Sequence, residues 1–519
     1  MRRAVLPALL LALNLSSAGS ATYTVDPDGQ GDFPTIQAAV DAAVDGDVIE
    51  LSLGTFLGDG NRDIDFLGKA ITIRSANGNP EKCIIDCEGS ESDHHRGFWF
   101  HRGETAVSLL ADVQIRNGWA TSGGGILCDS ASSPTLSNLA LRNNTVAHQG
   151  GGLVSYGGSA PQASDCEFSL NSASFGAGAA CEWAAARFEN CRFIDNDSDG
   201  PGIGDSGGGL YAVGSSLTVT DCWFQGNYAS DTGGGLFFSG YDGSLIVEGS
   251  GFYQNFTEGL GGGAHLTGSG SLQISYCTFA ANSSIGVGGG LSTHGSISVT
   301  NCTISDNNGY EGGGIYVLWG STSLVNTIVW DNWGGFGRDV TVDFGASASL
   351  TCCDVHPEGV MGGNVSWNEG NIAEDPRFCG DDAPDEPYAL HALSPCAPGM
   401  NPECGQIGAW PVGCGQAGTE DHARWGDHAT LLAVRPNPLC QATALRFQLP
   451  EMGRYVTLTI HDSAGRQVRC LVEGFRSAGD HVVSWDGTND AGQPLPAGTY
   501  FGRLTMPTRT AIQRILLVR

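Results

Sequence analysis

Between about Asp112 and Asn332 the chain repeats itself every 27 residues or so, and no other feature limits its fold as severely. The repeat reads most easily as Cys-x-Phe-x-x-Asn: Cys166/Phe168/Asn171, Cys191/Phe193/Asn196, Cys222/Phe224/Asn227, Cys277/Phe279/Asn282 and Cys302/Ile304/Asn307. With the cysteine replaced, the frame continues at Asn117, Asn144, Asn255 and Asn332, so the nine asparagines stand 27, 27, 25, 31, 28, 27, 25 and 25 residues apart. Most are followed by a glycine triplet and a small or aliphatic residue, as at Gly150–Gly152/Leu153 and Gly312–Gly314/Ile315. A period of ~20–50 residues belongs to solenoids and arrays.

Residue chemistry selects the solenoid. Runs such as Ser216–Thr220 and Ser296–Thr300 alternate with the period of a strand, and no segment sustains helical spacing. Strands recurring at this interval can pair with their equivalents one coil away, about 4.8 Å along the axis. Cys and Phe, two apart, then face the coil interior as columns of like residues. The asparagines are expected to stack as an amide ladder and to tolerate a left-handed turn, and the glycines to supply further positive-φ positions. The chain is therefore expected to be all-β, a parallel β-helix, right-handed by the usual crossover preference.

The Asn-ladder repeat resembles those of the pectin-lyase-like superfamily of right-handed parallel β-helices, over residues 22–412. That fold hosts lyases, hydrolases, esterases and adhesins, so the resemblance implies architecture and leaves activity open. The run Val25–Val40, followed by Gly46–Leu51 and Gly54–Phe56, is similar to the opening of pectin methylesterases, whose short helix (here about Pro34–Ala43) caps the coil; their paired catalytic aspartates have no equivalent in this sequence. Asp375–Phe378, Leu393–Cys396 and Gln406–Trp410 resemble the terminal coil of secreted bacterial β-helices, expected to close the other end. Beyond a polar linker at 415–432, short alternating strands over 433–519 read as a small β-sandwich. Pro436–Pro438, Asp462–Arg466, Trp485–Gly492 and Pro496–Tyr500 resemble the Ig-like domain of flagellar hook-capping proteins and related secretion-sorting modules. The resemblance implies a module that exports, tethers or spaces the solenoid, with Asp486, Asn489 and Asp490 as turn-formers.

Arg2 and Arg3, an apolar run Ala4–Leu13 and small residues 18–21 read as a secretory signal peptide over 1–21, and no other run is apolar enough to span a membrane. The mature chain is then expected to be secreted or held at the cell surface, with 22–110 as cap and first rungs, 111–340 as central repeats and 341–414 as closing segment. Of the 17 cysteines, those at 166, 191, 222, 277 and 302 read as stacked core thiols. Cys83, Cys87, Cys379, Cys396, Cys404 and Cys414 are the expected disulfide formers in an oxidising compartment.

Candidate functional residues fall in three places. Asp195, Asp197 and Asp199 match the first half of a calcium loop that continues to Asp205; Ser206 in the twelfth position rules out an EF-hand, leaving a weaker extracellular calcium site or an acidic surface turn. Asp93–Arg102 gathers three histidines and two arginines, as a metal or anion site or as a polar loop leading into a strand. Near the end of the repeats Tyr310, Tyr316, Trp319, Trp330, Trp333 and Phe336 cluster; outward aromatics such as Trp330 and Trp333 suit stacking on sugar rings. Asp306 and Asp331 hold equivalent repeat positions, about one rung apart, the separation a retaining glycosidase uses, although stacking alone generates such pairs. No lysine or arginine occurs from Phe193 to Gly337, and the net charge is −30. A uronate lyase working through an arginine base in that stretch, and a nucleic-acid partner, are disfavoured. Two functions follow: a secreted or displayed β-helix that binds polysaccharide or a partner surface, with secretion machinery as partner of the C-terminal module, or a polysaccharide hydrolase or lyase.

Overall fold

The structure, a computed structural model, describes residues 20–199, 204–241, 243–380 and 386–415 and, in the C-terminal module, 430–435, 443–449, 454–461, 466–476, 479–490, 492–506 and 509–517. The signal segment and most of the linker lie outside these residues.

Each coil of the solenoid has the same course, as in Thr278–Ala280, Ser283–Ser284 and Leu291–Thr300. The first strand belongs to a 12-stranded back sheet and the second to a short side sheet. The third is a long front strand that bends midway. The strand pairings between coils are parallel, and the register superimposes like on like. Phe193, Phe224, Phe252 and Phe279 are direct partners, their rings parallel and 4.5–4.6 Å apart. One continuous apolar core runs from Val25 to Val355. The helix Ile36–Ala42, capped by Thr35 accepting from the Ala38 N–H, covers its first end with buried Ile36, Ala39 and Val40.

The asparagine ladder runs from Asn144 through Asn171, Asn196, Asn227, Asn255, Asn282 and Asn307 to Asn332, every side chain buried. Up to Asn307, each Nδ2 donates to the Oδ1 of the next asparagine and to a carbonyl of the preceding coil. Asn196 reaches Asn227 Oδ1 at 2.9 Å and Phe168 O at 2.8 Å. Asn282 reaches Asn307 Oδ1 and Phe252 O at the same two distances, and Asn307 reaches Asn332 Oδ1 and Phe279 O likewise.

Two expectations about these asparagines need correcting. Asn117 is outside the ladder: Gly118 occupies that slot, its N–H donating to Asn144 Oδ1, while Asn117 is exposed and bonds Asp86. Nor do the ladder asparagines take the left-handed turn themselves. At Asn196, Asn282 and Asn307 that conformation belongs to the residue before, Asp195 (φ 51°), Ala281 (55°) and Asp306 (59°), as it does at Asn143 (53°) before Asn144 and Asp331 (52°) before Asn332. The reason is that each of the three also sends its backbone N–H to the next Oδ1, so both its donors must follow the turn into the coil. In the triplets only the first glycine is left-handed; at the third of them, Gly125, a Cβ would sit 2.4 Å from Gly152 O in the next coil.

The cysteine column consists of buried free thiols. Each donates to the carbonyl two residues back, Cys277 Sγ to Ser275 O at 3.2 Å, and Ser250 and Thr327 make the same bond where cysteine is missing. Of the expected disulfide formers, Cys83, Cys87 and Cys396 are buried free thiols. The bridges are Cys379–Cys414 and Cys352–Cys404, the latter using a cysteine not among those expected. Burial pushes the Cys83 thiol up to about 12, so this side chain packs as a small hydrophobe.

The closing segment does more than cap. Ile372 pairs with the last back strand at Asp354, and the chain then folds back over the outside of that sheet. Trp410 Nε1 donates to Thr278 Oγ1 at 2.7 Å, and the Ala409 N–H to Thr303 Oγ1. Separately, strands of the C-terminal module form antiparallel sheets of three and four strands around Trp485, Phe447, Leu458 and Ile515. Asp486 accepts from Thr488 and Asn489 from Gln493, local turn bonds as expected, whereas Asp490 accepts from the Cys470 N–H 20 residues away and ties its loop to another strand.

Candidate functional site

The aromatic residues singled out in the sequence divide between two surfaces. Trp330 points out of the coil, as alternation requires, but it is covered: Ile372, Phe378 and Ile407 of the closing segment pack in its cluster. Nearby, the Tyr388 hydroxyl donates to Asp306 Oδ2 at 2.8 Å. Burial, and then Asp306 and Asp375, raise the Asp331 carboxyl above its usual range. Asp306 and Asp331 are neighbours in equivalent left-handed turns, and the partner they meet is the closing segment. Trp333 and Tyr310, 73% and 61% exposed, lie on the side sheet, where Tyr310 meets Phe336 edge to face.

Trp319 belongs to a different surface, the outer face of the front sheet. Its outward column runs Leu127, Val154, Ala180, Tyr211, Phe237, His265, Ser292, Tyr316. These side chains point away from the core, yet Val154, Ala180 and Ser292 are fully buried. The side sheet turns back over them at the left-handed glycines: a Cβ on Gly288 would stand 2.9 Å from Ser292 Cβ, and one on Gly312 3.1 Å from Tyr316 Cβ. The result is a concave outer corner along the solenoid.

At the end of this corner the polar groups gather. The rings of Tyr211, Phe237 and His265 stack at 5.1 and 5.7 Å, and the stack stops where Ser292 replaces a ring. His265 is 6% exposed; its Nδ1 and Ser292 Oγ are buried without a protein partner. Burial, with His294 adding to it, pushes the His265 imidazole down to about 4, so it is neutral at ordinary pH. Next in the column, burial followed by Asp343 and Glu311 pushes the Tyr316 phenol up to about 12. His294 pairs in register with Trp319, which is 57% exposed and braced against Gly345, where a Cβ would approach its ring to 3.3 Å. Trp319, Tyr316 and the neutral His265 imidazole thus stand on neighbouring coils of the front sheet, with Asp343 and Glu311 near enough to Tyr316 to act on its phenol. Sequence reading found Trp319 and Tyr316 but missed His265, Ser292, His294, Glu311 and Asp343; for His265 and Ser292 the only signal was their place in the outward column.

The acidic loop is described only in part. Among the described residues no three His, Cys, Asp or Glu side chains converge as a metal would need. Asp195 sits in the left-handed turn, Asp197 in a side strand with its side chain outward, and Asp205 is buried; residues 200–203 of that loop fall outside the described ones. In the histidine segment, Phe98–Phe100 is the expected strand, His95 Nδ1 contacts Asp63 at 2.6 Å, and His101 stacks on Trp99.

A solenoid of this kind defines a class, the parallel β-helix proteins. Residues 64–271 match the family "Right handed beta helix region", and residues 439–506 match "FlgD Ig-like domain". The chain is a right-handed parallel β-helix protein with an Ig-like module of the FlgD type. No curated protein sequence matches it. Among solved structures it is similar to pectate lyase Pel9A, at 16% identity over 76% of this chain and 97% of that one, with a TM-score of 0.41. It is similar to the PL6 family alginate lyase AlyGC at 13% identity, over 79% of this chain and 61% of that one, TM-score 0.44. A third is the catalytic unit of the GH87 alpha-1,3-glucanase from Streptomyces thermodiastaticus, at 15% identity over 69% of each chain, TM-score 0.39.

Proposed function

We propose that the chain is an exported β-helix that binds extended polysaccharide along the outer corner of its front sheet, displayed through the C-terminal Ig-like module. The observation that carries this reading is Trp319: a large aromatic left more than half exposed, close over Gly345 and in register with His294, on the same front strand as Tyr316. Such a platform supplies apolar contact to a sugar face at little entropic cost, while the polar groups take hydroxyls. The corner continues along the coils, which suits a linear polymer better than a compact ligand. The acidic balance favours neutral glycans over anionic ones.

A second reading draws on Glu311 and Asp343, which both act on the Tyr316 phenol. A pair of carboxyl groups is the equipment of glycoside hydrolysis. One experiment addresses both readings: the purified mature chain is screened against neutral and acidic polysaccharides, with and without calcium, recording retention together with new reducing ends or unsaturated products. Retention without product supports the binding reading; product formation replaces it with the enzymatic one. Failure to retain any polymer rejects both.

A further inference from the structure

At the opposite end of the solenoid lies an open cavity of about 450 Å³, lined by Asp86, Glu88, Asn117, Trp119, Asn143 and Thr145. That volume is within the ~300–1,000 Å³ range of small-ligand sites. We infer that this cavity is a binding site for a neutral sugar unit of a polysaccharide, separate from the Trp319 strip. The inference rests on the reading that the chain binds glycan and names a site and a ligand class for it.

The cavity is built by features already described. Asn117 and Asn143 are the left-handed residues before consecutive ladder slots, and Trp119 and Thr145 are register partners on the side sheet. Gly89 also lines it; a Cβ there would come within 2.5 Å of the Trp119 backbone nitrogen, so the glycine lets the Asp86–Gly89 segment lie against the Trp119 strand.

The hydrogen-bonding inventory points to hydroxyls. Asp86 is committed: Oδ2 takes Arg116 Nε at 2.9 Å, and Oδ1 takes Asn117 Nδ2 at 2.9 Å. Glu88 Oε2 takes the Gly58 N–H at 2.9 Å and Arg62 at 3.4 Å. Among the described residues Glu88 Oε1, Asn117 Oδ1, the Asn143 amide, the Thr145 hydroxyl and the Trp119 indole N–H have no protein partner, which leaves donors and acceptors interleaved along a mostly polar wall. A sugar presents the complement, a set of hydroxyls that both donate and accept. Each carboxylate is already matched by an arginine, so the cavity holds no surplus positive charge for a uronate or a phosphate. A purely apolar ligand would strand its polar lining.

The test is calorimetric titration of the full mature chain with cello-, xylo-, laminari- and manno-hexaose and with hexagalacturonate, alongside retention on the matching polymers. Asn143→Gly removes the amide while keeping a left-handed position, and Trp119→Ala removes the ring; unchanged melting temperatures confirm the fold. The expected result is binding of at least one neutral hexaose, weakened about tenfold by Asn143→Gly and lost with Trp119→Ala. Two results overturn the inference while leaving the Trp319 strip standing: hexaose binding unaltered in both variants with polymer retention lost in Trp319→Ala, or hexagalacturonate bound more tightly than any neutral hexaose. Absence of all oligomer and polymer binding removes the glycan-binding reading and this site with it.

Discussion

Tyr388 and Asp306 are 82 residues apart in sequence and are joined by a 2.8 Å hydrogen bond, the phenol donating to Oδ2. The bond fastens the closing segment to the turn between the back and side sheets. Asp306→Asn and Tyr388→Phe should therefore leave polysaccharide retention unchanged and lower stability by about 1 kcal/mol or less, because the site faces water. Hydrogen exchange should show faster opening around Tyr388–His391 in both variants.

Asn143 and Asn144 are adjacent and should respond oppositely. Asn144 Oδ1 accepts the Gly118 N–H, and its Nδ2 donates to Ile115 O and Asn171 Oδ1 in a fully buried setting. Asn144→Ala removes three buried hydrogen bonds, leaving the Gly118 N–H without its acceptor while Asn171 Oδ1 keeps the residue-144 N–H, and should cost roughly 2–4 kcal/mol. Asn143→Gly, exposed and left-handed, should change stability by about 0.5 kcal/mol at most. Thermal denaturation of the two variants checks this.

That contrast shows how much the sequence disclosed. Period, strand texture and the Cys–Phe–Asn frame were enough for a β-helix, because columns of like residues leave a repeating imprint. The frame picked Asn144 over Asn143 correctly, but one coil earlier it chose Asn117 where Gly118 fills the slot, because an asparagine suits both positions. At Asn196, Asn282 and Asn307 the ladder residue was found, but its turn was placed one position late, because Asn is itself a common left-handed residue. Ser250 and Thr327 in the cysteine column carry the missing clue that the column needs an S–H or O–H donor. The corner at His265 and Tyr316 was hidden for another reason: outward residues are normally solvated, and only the glycine turns folding back over them make them a site. Trp330 was misjudged because its cover comes from residues beyond the repeats.

The imidazole of His265 should make stability pH-dependent. Its folded value, about 4, lies below the unfolded reference of 6.5, so the unfolded chain binds the extra proton between those values. This contribution is fully present above pH ~6.5 and is lost as pH falls towards 4, amounting to about 3 kcal/mol at most. His265→Phe, which extends the Phe237 stack, should flatten the melting temperature across that window relative to the wild type.

Reduction should act locally. Bridges closing 52 and 35 residues each restrain the unfolded chain by about 4 kcal/mol on the chain-entropy model. Mild reductant should loosen 352–414 before the coils, and alkylation of the native protein should spare the buried column thiols at 166, 191, 222, 277 and 302, as peptide mass spectrometry would show.

The most direct test of the account is affinity electrophoresis of the wild type and Trp319→Ala through gels containing neutral polysaccharides, with melting temperatures measured in parallel. The account predicts retardation of the wild type by at least one polymer, and a loss of about tenfold or more in apparent affinity for Trp319→Ala with no change in melting temperature. Equal retardation of the two proteins, or none of either, would contradict it.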